Sequence, residues 1–232
     1  MPAYQAVLFD AGDTLIDFYS ADVRVADTVR EWTGREASAE QIARAFEAAW
    51  HHAFDGKADL LWVDDEETER RYWGGYYTGW LRAVGIEPVP GLVEQLVEDT
   101  LRLDSYDAFP DAAETLAALH SQGLRLVLIS NAFPSMQKIM QQLDLERRFD
   151  ACLYSWSAGY EKPHPAIFEL ALKAAGVPAS AACFVDDTAG HIEAAISLGI
   201  GGFLLDRHNR HPGTALPRIT GLRELLPRLS RR

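Results

Sequence analysis

Short, largely apolar runs that each end in a polar cluster constrain this chain more than any other feature. Ala6-Val7-Leu8-Phe9 runs into Asp10-Ala11-Gly12-Asp13-Thr14. Leu124 to Ile129 runs into Ser130-Asn131, and Ala182 to Val185 runs into Asp186-Asp187. Such a run is what a strand buried on both faces requires, and strands of that kind belong to parallel sheets. The intervening residues have helical spacing. Ala113, Leu116, Ala117 and Leu119 predict a helix that stops near Gly123. Further helices are expected around residues 136–143, 166–175 and 192–198, with strands around 151–154 and 202–205. Strands alternating with helices imply right-handed β-α-β units. The expected fold class is therefore α/β, a parallel sheet with helices on both faces.

The pattern changes between about residues 20 and 103. Val23, Ala26, Val29 and Trp32 fall at helical spacing, as do Ile42, Ala45, Phe46 and Ala49, and again Leu92, Leu96 and Val97. No strand pattern occurs there. The region predicts an all-helical insert over 18–103, set into a core made of 1–17 and 104–232. Trp73, Tyr76, Tyr77 and Trp80 recur at helical spacing and, with Trp62, fit the apolar core of that insert better than a substrate lining. Arg70, Arg71 and Arg82 fit a solvated helix face.

The charge balance narrows the partners. The 232 residues carry a formal net charge of -12, which argues against nucleic acid, since phosphate backbones are held by clustered Lys and Arg. An anionic small molecule requires local positive charge, from a metal ion or a few placed basic residues. The two cysteines, Cys152 and Cys183, sit beside apolar residues and read as buried thiols of a reducing compartment. The N-terminal residues lack a basic stretch followed by an apolar core, and no run is long enough to span a membrane. A cytoplasmic protein is expected. The basic stretch 207–212, with His208 and His211, reads as an exposed loop rather than a metal site.

Ligands of open parallel sheets bind at the carboxyl ends of the strands. The residues placed there are Asp10, Ser130, Asp186 and Asp187, with Lys162 in a nearby loop. Several carboxylates packed together repel unless a cation neutralises them. Oxygen donors select a hard cation, and Mg2+ suits a site shared with phosphate. In this arrangement Asp10 and Asp187 hold the metal, with Asp186 as ligand or support. Asp10 attacks phosphorus to give an aspartyl-phosphate. Lys162 keeps Asp10 ionised, and Ser130 binds a phosphoryl oxygen. The implied substrate is a small phosphorylated metabolite.

Four segments resemble the motifs of the haloacid dehalogenase-like hydrolase superfamily. Phe9-Asp10-Ala11-Gly12-Asp13-Thr14-Leu15 looks like the first and Leu128-Ile129-Ser130-Asn131 like the second. Gly159-Tyr160-Glu161-Lys162-Pro163-His164-Pro165 is similar to the third. Phe184-Val185-Asp186-Asp187-Thr188 resembles the double-aspartate form of the fourth. The order matches too, and the insert resembles the helical cap of one subgroup; the resemblance implies a Rossmann-like core for the sheet. The resemblance implies a nucleophile at Asp10, a threonine at Thr14 and a phosphate-binding hydroxyl at Ser130. It also implies a lysine at Lys162 and metal ligands at Asp186, Asp187 and the backbone carbonyl of Gly12.

One position departs from the family pattern. Most phosphatases of the family carry a second Asp two residues after the nucleophile, where this chain has Gly12, with Asp13 one residue further on. Asp13 reaching back as acid/base, substrates with good leaving groups, and a weakly catalytic phosphate and Mg2+ binder are competing accounts. Dehalogenases of the family also lack that Asp, so a metal-independent 2-haloacid dehalogenase is the alternative enzyme. The paired aspartates count against it, as does the want of a matching cap arginine among Arg24, Arg30 and Arg35. His191 reads either as support for Asp187 or as a helix-start residue without a role, and His164 likewise has no assigned one. Asn131 reads as a donor to phosphate or as the cap of the next helix.

Overall fold

The computed structural model describes residues 4–35 and 63–229. Ile42, Ala45, Phe46, Ala49 and Trp62 lie outside the described residues. The strands of the main sheet are β1 (Ala6–Phe9), β4 (Arg125–Ser130), β5 (Ala151–Tyr154), β6 (Ala182–Asp186), β7 (Gly201–Leu205) and β8 (Arg218–Ile219). Two further short strands are β2 (Ile16–Asp17) and β3 (Asp107–Ala108). The sheet order is β5-β4-β1-β6-β7-β8, with parallel neighbours throughout. Phe9 is thus opposite Leu128 on one side and Val185 on the other. The apolar runs found in sequence are these strands. The two-residue β8 lacks an apolar run of its own and had no signal in sequence.

Strand order positions the polar clusters. The chain leaves β1 for β4 and β5 on one side, then returns to build β6, β7 and β8 on the other. The switch point therefore lies at β1, and its neighbours are the two strands ending in Ser130 and Asp186. Ala6, Leu8, Val127, Ile129, Ala182 and Phe184 face one layer of helices, including α7 (Pro165–Ala175) and α8 (Ala189–Ser197). The alternate residues Val7, Phe9, Leu126, Leu128 and Val185 are equally buried, so both faces are covered. Gly202 is needed where α8 approaches β7: a Cβ there would stand 2.7 Å from Ile192 Cγ2.

The chain forms two compact units, one of residues 1–17, 108–132 and 140–232, the other of 18–107 and 133–139. The first holds the sheet. The second is built on α1 (Tyr19–Thr33), α2 (Glu66–Ala83) and α3 (Pro90–Leu101). Asp65 starts α2 through a reciprocal capping box with Thr68, and Pro90 starts α3. Trp73, Tyr77 and Trp80 are buried with Val25, Val29, Leu81, Leu92 and Leu96, the arrangement expected of a packing face. The face of α1 differs from the expectation. Ala21, Val25, Thr28 and Val29 are buried, whereas Trp32 is half exposed and lies over Gly91. The stripe is rotated because Thr28 donates to the buried Asp99 at 2.5 Å, turning a polar residue inward. Arg70 pairs with Glu98 and Arg71 with Glu67, both on exposed faces.

No described helix is long and apolar enough to cross a membrane. Both cysteines are free, Cys183 buried and Cys152 half-buried. Burial pushes the Cys152 thiol up to about 12.

Candidate active site

The main sheet brings four of the expected residues into one cluster. Asp10 follows β1, its N–H donating to the Val185 carbonyl at 2.9 Å. Asp186 ends β6, and Asp187 follows it. Carboxylate oxygens of Asp10, Asp186 and Asp187 lie within 4.8 Å of one another. Lys162 comes from the loop between α6 (Ser155–Ala158) and α7. Its Nζ donates to Asp10 Oδ1 at 2.5 Å and to Asp186 Oδ2 at 2.8 Å, and stands 5.5 Å from the centre of the Phe184 ring. Ser130 is buried at the end of β4, beside β1 in the sheet.

Charge is unevenly shared in this cluster. Burial alone would raise the Asp186 carboxyl, but Lys162 and His191 hold it well below the usual range. Its Oδ1 accepts from the Thr188 N–H at 2.7 Å, and His191 Nδ1 lies 3.1 Å from Oδ2. Asp10 is pushed up to about 6, because its burial outweighs the nearby lysine and Asp186 adds to the rise. Asp187 is raised well above the ordinary value, first by burial and then by Asp186, Asp10 and Asp13. Burial would lower the Lys162 ammonium, but Asp10 and Asp186 overcome it and push it up. One lysine thus serves two carboxylates. Asp187 has no ion pair among the described residues, so the cluster can accept a further cation.

Several expectations are corrected or sharpened. The Asn131 amide is turned toward the Lys162 backbone rather than capping the following helix. Its Nδ2 donates to the Lys162 carbonyl and its Oδ1 accepts from the Lys162 N–H, both at 2.7 Å. His191 contacts Asp186 rather than Asp187. His164 caps α7 by accepting from the Ala166 N–H at 3.2 Å and stacks on Tyr160, which is structure enough to explain it. Asp13 has left-handed backbone with φ of 50°, a conformation Asp tolerates better than most residues. It lies near enough to Asp187 to raise that carboxyl. The Thr14 hydroxyl is buried without a hydrogen-bond partner among the described residues. Arg24 donates to Ser105, Arg30 pairs with Asp27, and Arg35 donates to the Gly85 carbonyl.

The segment after β7 is more than an exposed basic loop. His208 is exposed, as expected, but Asp206 is buried and Arg207 nearly so. Asp206 accepts from the Arg210 and His211 N–H groups and from Arg218. Arg207 reaches Asp111 and the Thr14 carbonyl. Both residues directly follow an apolar run, the same signal that marks Asp10 and Asp186.

A parallel sheet with an acidic cluster and one lysine at the switch in strand order defines an α/β protein of Rossmann-like construction. The chain belongs to the haloacid dehalogenase-like hydrolase family, whose model matches residues 4–199. The (S)-2-haloacid dehalogenase 4A of Burkholderia cepacia is 30% identical, over 98% of this chain and 95% of its own. The phosphoglycolate phosphatase of Pseudomonas savastanoi pv. phaseolicola is 27% identical, over 95% of this chain and 78% of its own. A dehalogenase crystallised with an intermediate complex superposes with a TM-score of 0.75 at 28% identity, covering 100% of both chains. The chain is thus a hydrolase with relatives of both names.

Proposed function

We propose that the chain is a Mg2+-dependent phosphatase that acts on a small phosphorylated metabolite through an aspartyl-phosphate on Asp10. The observation that carries this reading is the cluster of Asp10, Asp186 and Asp187 around a single lysine. A hydrolase acting on a neutral carbon centre has no need of an unpaired third carboxylate. A phosphatase that must bring an anion to an anionic nucleophile uses one to hold a cation. The donor set fits Mg2+: the ligands are oxygens, and burial, followed by the nearby Asp186, Asp10 and Asp13, raises the Asp187 carboxyl. Asp10, Asp187 and the Gly12 carbonyl would hold the ion, with Asp186 beside them. When bound, Mg2+ supplies charge neutralisation and polarises a phosphoryl oxygen.

The protein's own groups account for the remaining steps. Lys162 keeps Asp10 Oδ1 engaged, leaving the other oxygen to attack phosphorus. The P–O bond to the alcohol breaks, and the leaving oxygen keeps its electron pair and takes a proton from Asp13. Water then attacks the phosphorus of the aspartyl-phosphate, giving a proton to the Asp13 carboxylate; the bond from phosphorus to the Asp10 oxygen breaks, which releases phosphate and restores the Asp10 carboxylate and the Asp13 acid. Ser130 and Thr14 donate hydroxyl protons toward phosphoryl oxygens. The second reading, a metal-independent 2-haloacid dehalogenase, is favoured by the 30% identity to the Burkholderia enzyme across almost the whole chain. There Asp10 would displace halide from carbon and water would hydrolyse the resulting ester, with no proton needed by the leaving group.

Two assays on one preparation separate these readings. p-Nitrophenyl phosphate should be hydrolysed in Mg2+, not in excess chelator, and not by Asp10→Asn. Chelator-resistant halide release from 2-chloropropionate, with no phosphatase activity, would replace the phosphatase reading by the dehalogenase one. Phosphate-dependent thermal stabilisation without turnover of either compound would leave a binding protein.

A further inference from the structure

The loop that carries Asp10 closes partly on itself, with the Leu15 and Ile16 N–H groups donating to the Ala11 carbonyl at 2.8 and 3.0 Å. The Thr14 carbonyl is turned elsewhere, in a residue with no exposed surface. Its partner comes from the segment after β7, two strands away from β1 in the sheet. Arg207 Nη2 donates to the Thr14 carbonyl at 2.9 Å and to Asp111 Oδ1 at 2.8 Å, while Nη1 donates to Asp111 Oδ2 at 3.2 Å. The guanidinium carbon stands 3.9 Å from the centre of the Phe109 ring. Asp111 is fixed from behind, since Oδ2 also accepts from the Leu222 N–H at 2.8 Å. Phe109 is tied to the same loop through its N–H, which donates to the Leu15 carbonyl at 2.9 Å.

We propose that Arg207 is a positioning residue for the Asp10 loop. One guanidinium, gripped by Asp111 and Phe109, holds the Thr14 carbonyl, and so fixes the short arc that places Asp10, the Gly12 carbonyl and Asp13. The role requires arginine. A planar fork bonds a carboxylate and a carbonyl at once while stacking on a ring, which the point charge of a lysine does not. The pairing is also insulated from its neighbour, because Asp206 is already occupied by Arg210, His211 and Arg218. The arc is shared by the phosphatase and dehalogenase readings, so this role does not depend on which substrate is turned over.

The test compares Arg207→Lys and Arg207→Ala with wild type in two measurements. The first is kcat and KM with p-nitrophenyl phosphate in Mg2+ and with 2-chloropropionate. Misplacing a reacting group by about 1 Å costs up to roughly 100-fold, so kcat should fall about 10- to 100-fold in both variants with KM within about threefold. Millimolar guanidinium should recover part of the loss in Arg207→Ala but not in Arg207→Lys. The second is amide hydrogen exchange, which needs no substrate. Exchange should quicken in peptides covering 10–16 and 108–112 and stay unchanged across β4 and β6. Unchanged kcat with only a lowered melting temperature would make Arg207 a structural residue and overturn the proposal. So would exchange that is unchanged or that rises uniformly over the sheet. If Arg207→Ala does not fold, Arg207→Lys carries both measurements.

Discussion

Asn131→Ala would show whether Lys162 is held in place by its backbone. The asparagine amide spends its donor on the Lys162 carbonyl and its acceptor on the Lys162 N–H, each at 2.7 Å, and Lys162 is only 3% exposed. A typical intramolecular hydrogen bond contributes about 0.5–1.5 kcal/mol net, so losing two costs about 1–3 kcal/mol. For a protein of this size that is a drop of about 2–12 °C in melting temperature. The second effect is catalytic. Lys162 Nζ bonds Asp10 and Asp186 over distances that leave no slack, so a loosened backbone should lower kcat about 10- to 100-fold. Asn131→Asp should do no better, since it sets a carboxylate oxygen against the Lys162 carbonyl. Thermal melting and steady-state hydrolysis of p-nitrophenyl phosphate in Mg2+ measure both effects. Melting within 1 °C of wild type, with kcat within twofold, would refute the clamp. A raised KM at unchanged kcat would instead return Asn131 to substrate binding.

Three further predictions concern the carboxylates. Asp10 is raised to about 6, so the folded chain binds its proton more tightly than the unfolded chain. That contribution is fully present below the unfolded value, near 4, and is lost as pH rises through about 6. In chelator, Asp10→Asn should therefore be more stable than wild type at pH 7.5, and the difference should shrink as pH falls to 5; a constant difference across that range would contradict the raised carboxyl. Millimolar Mg2+ should stabilise the wild type by on the order of 1–3 kcal/mol, and Asp187→Asn should lose most of that gain; equal Mg2+ shifts in the two proteins would remove Asp187 from the metal site. Asp13→Asn should slow an alkyl phosphate by about 10²–10⁴-fold while sparing p-nitrophenyl phosphate, whose leaving group needs little acid. Equal losses on both substrates would argue against Asp13 as the acid.

Much of this protein was legible in its residue order. Strands buried on both faces write themselves as apolar runs, because no position along them can face water. Their polar ends stand out for the same reason, and Asp10, Ser130, Asp186 and Asp187 are legible as such ends in the residue order. The face of α1 was less legible. Val23, Ala26, Val29 and Trp32 have the right period, but Thr28 bonding Asp99 rotates the buried stripe. Helical period limits the choice of faces, and a partner 71 residues away selects among them.

Partners were the part sequence spacing could not supply. Asn131 meets Lys162 across 31 residues, and Arg207 meets Thr14 across 193. Each of these residues has an ordinary alternative reading, as a helix cap or as part of a solvated loop. By itself the sequence determined the α/β class, the helical spacing seen in α1, α2 and α3, and a candidate set of groups for chemistry. Only the tertiary structure decided which of those groups touch, since strand order places β1 between β4 and β6. Hydrogen bonds act over about 3 Å and charges over several ångströms, so their energies depend on that spatial order rather than on separation along the chain.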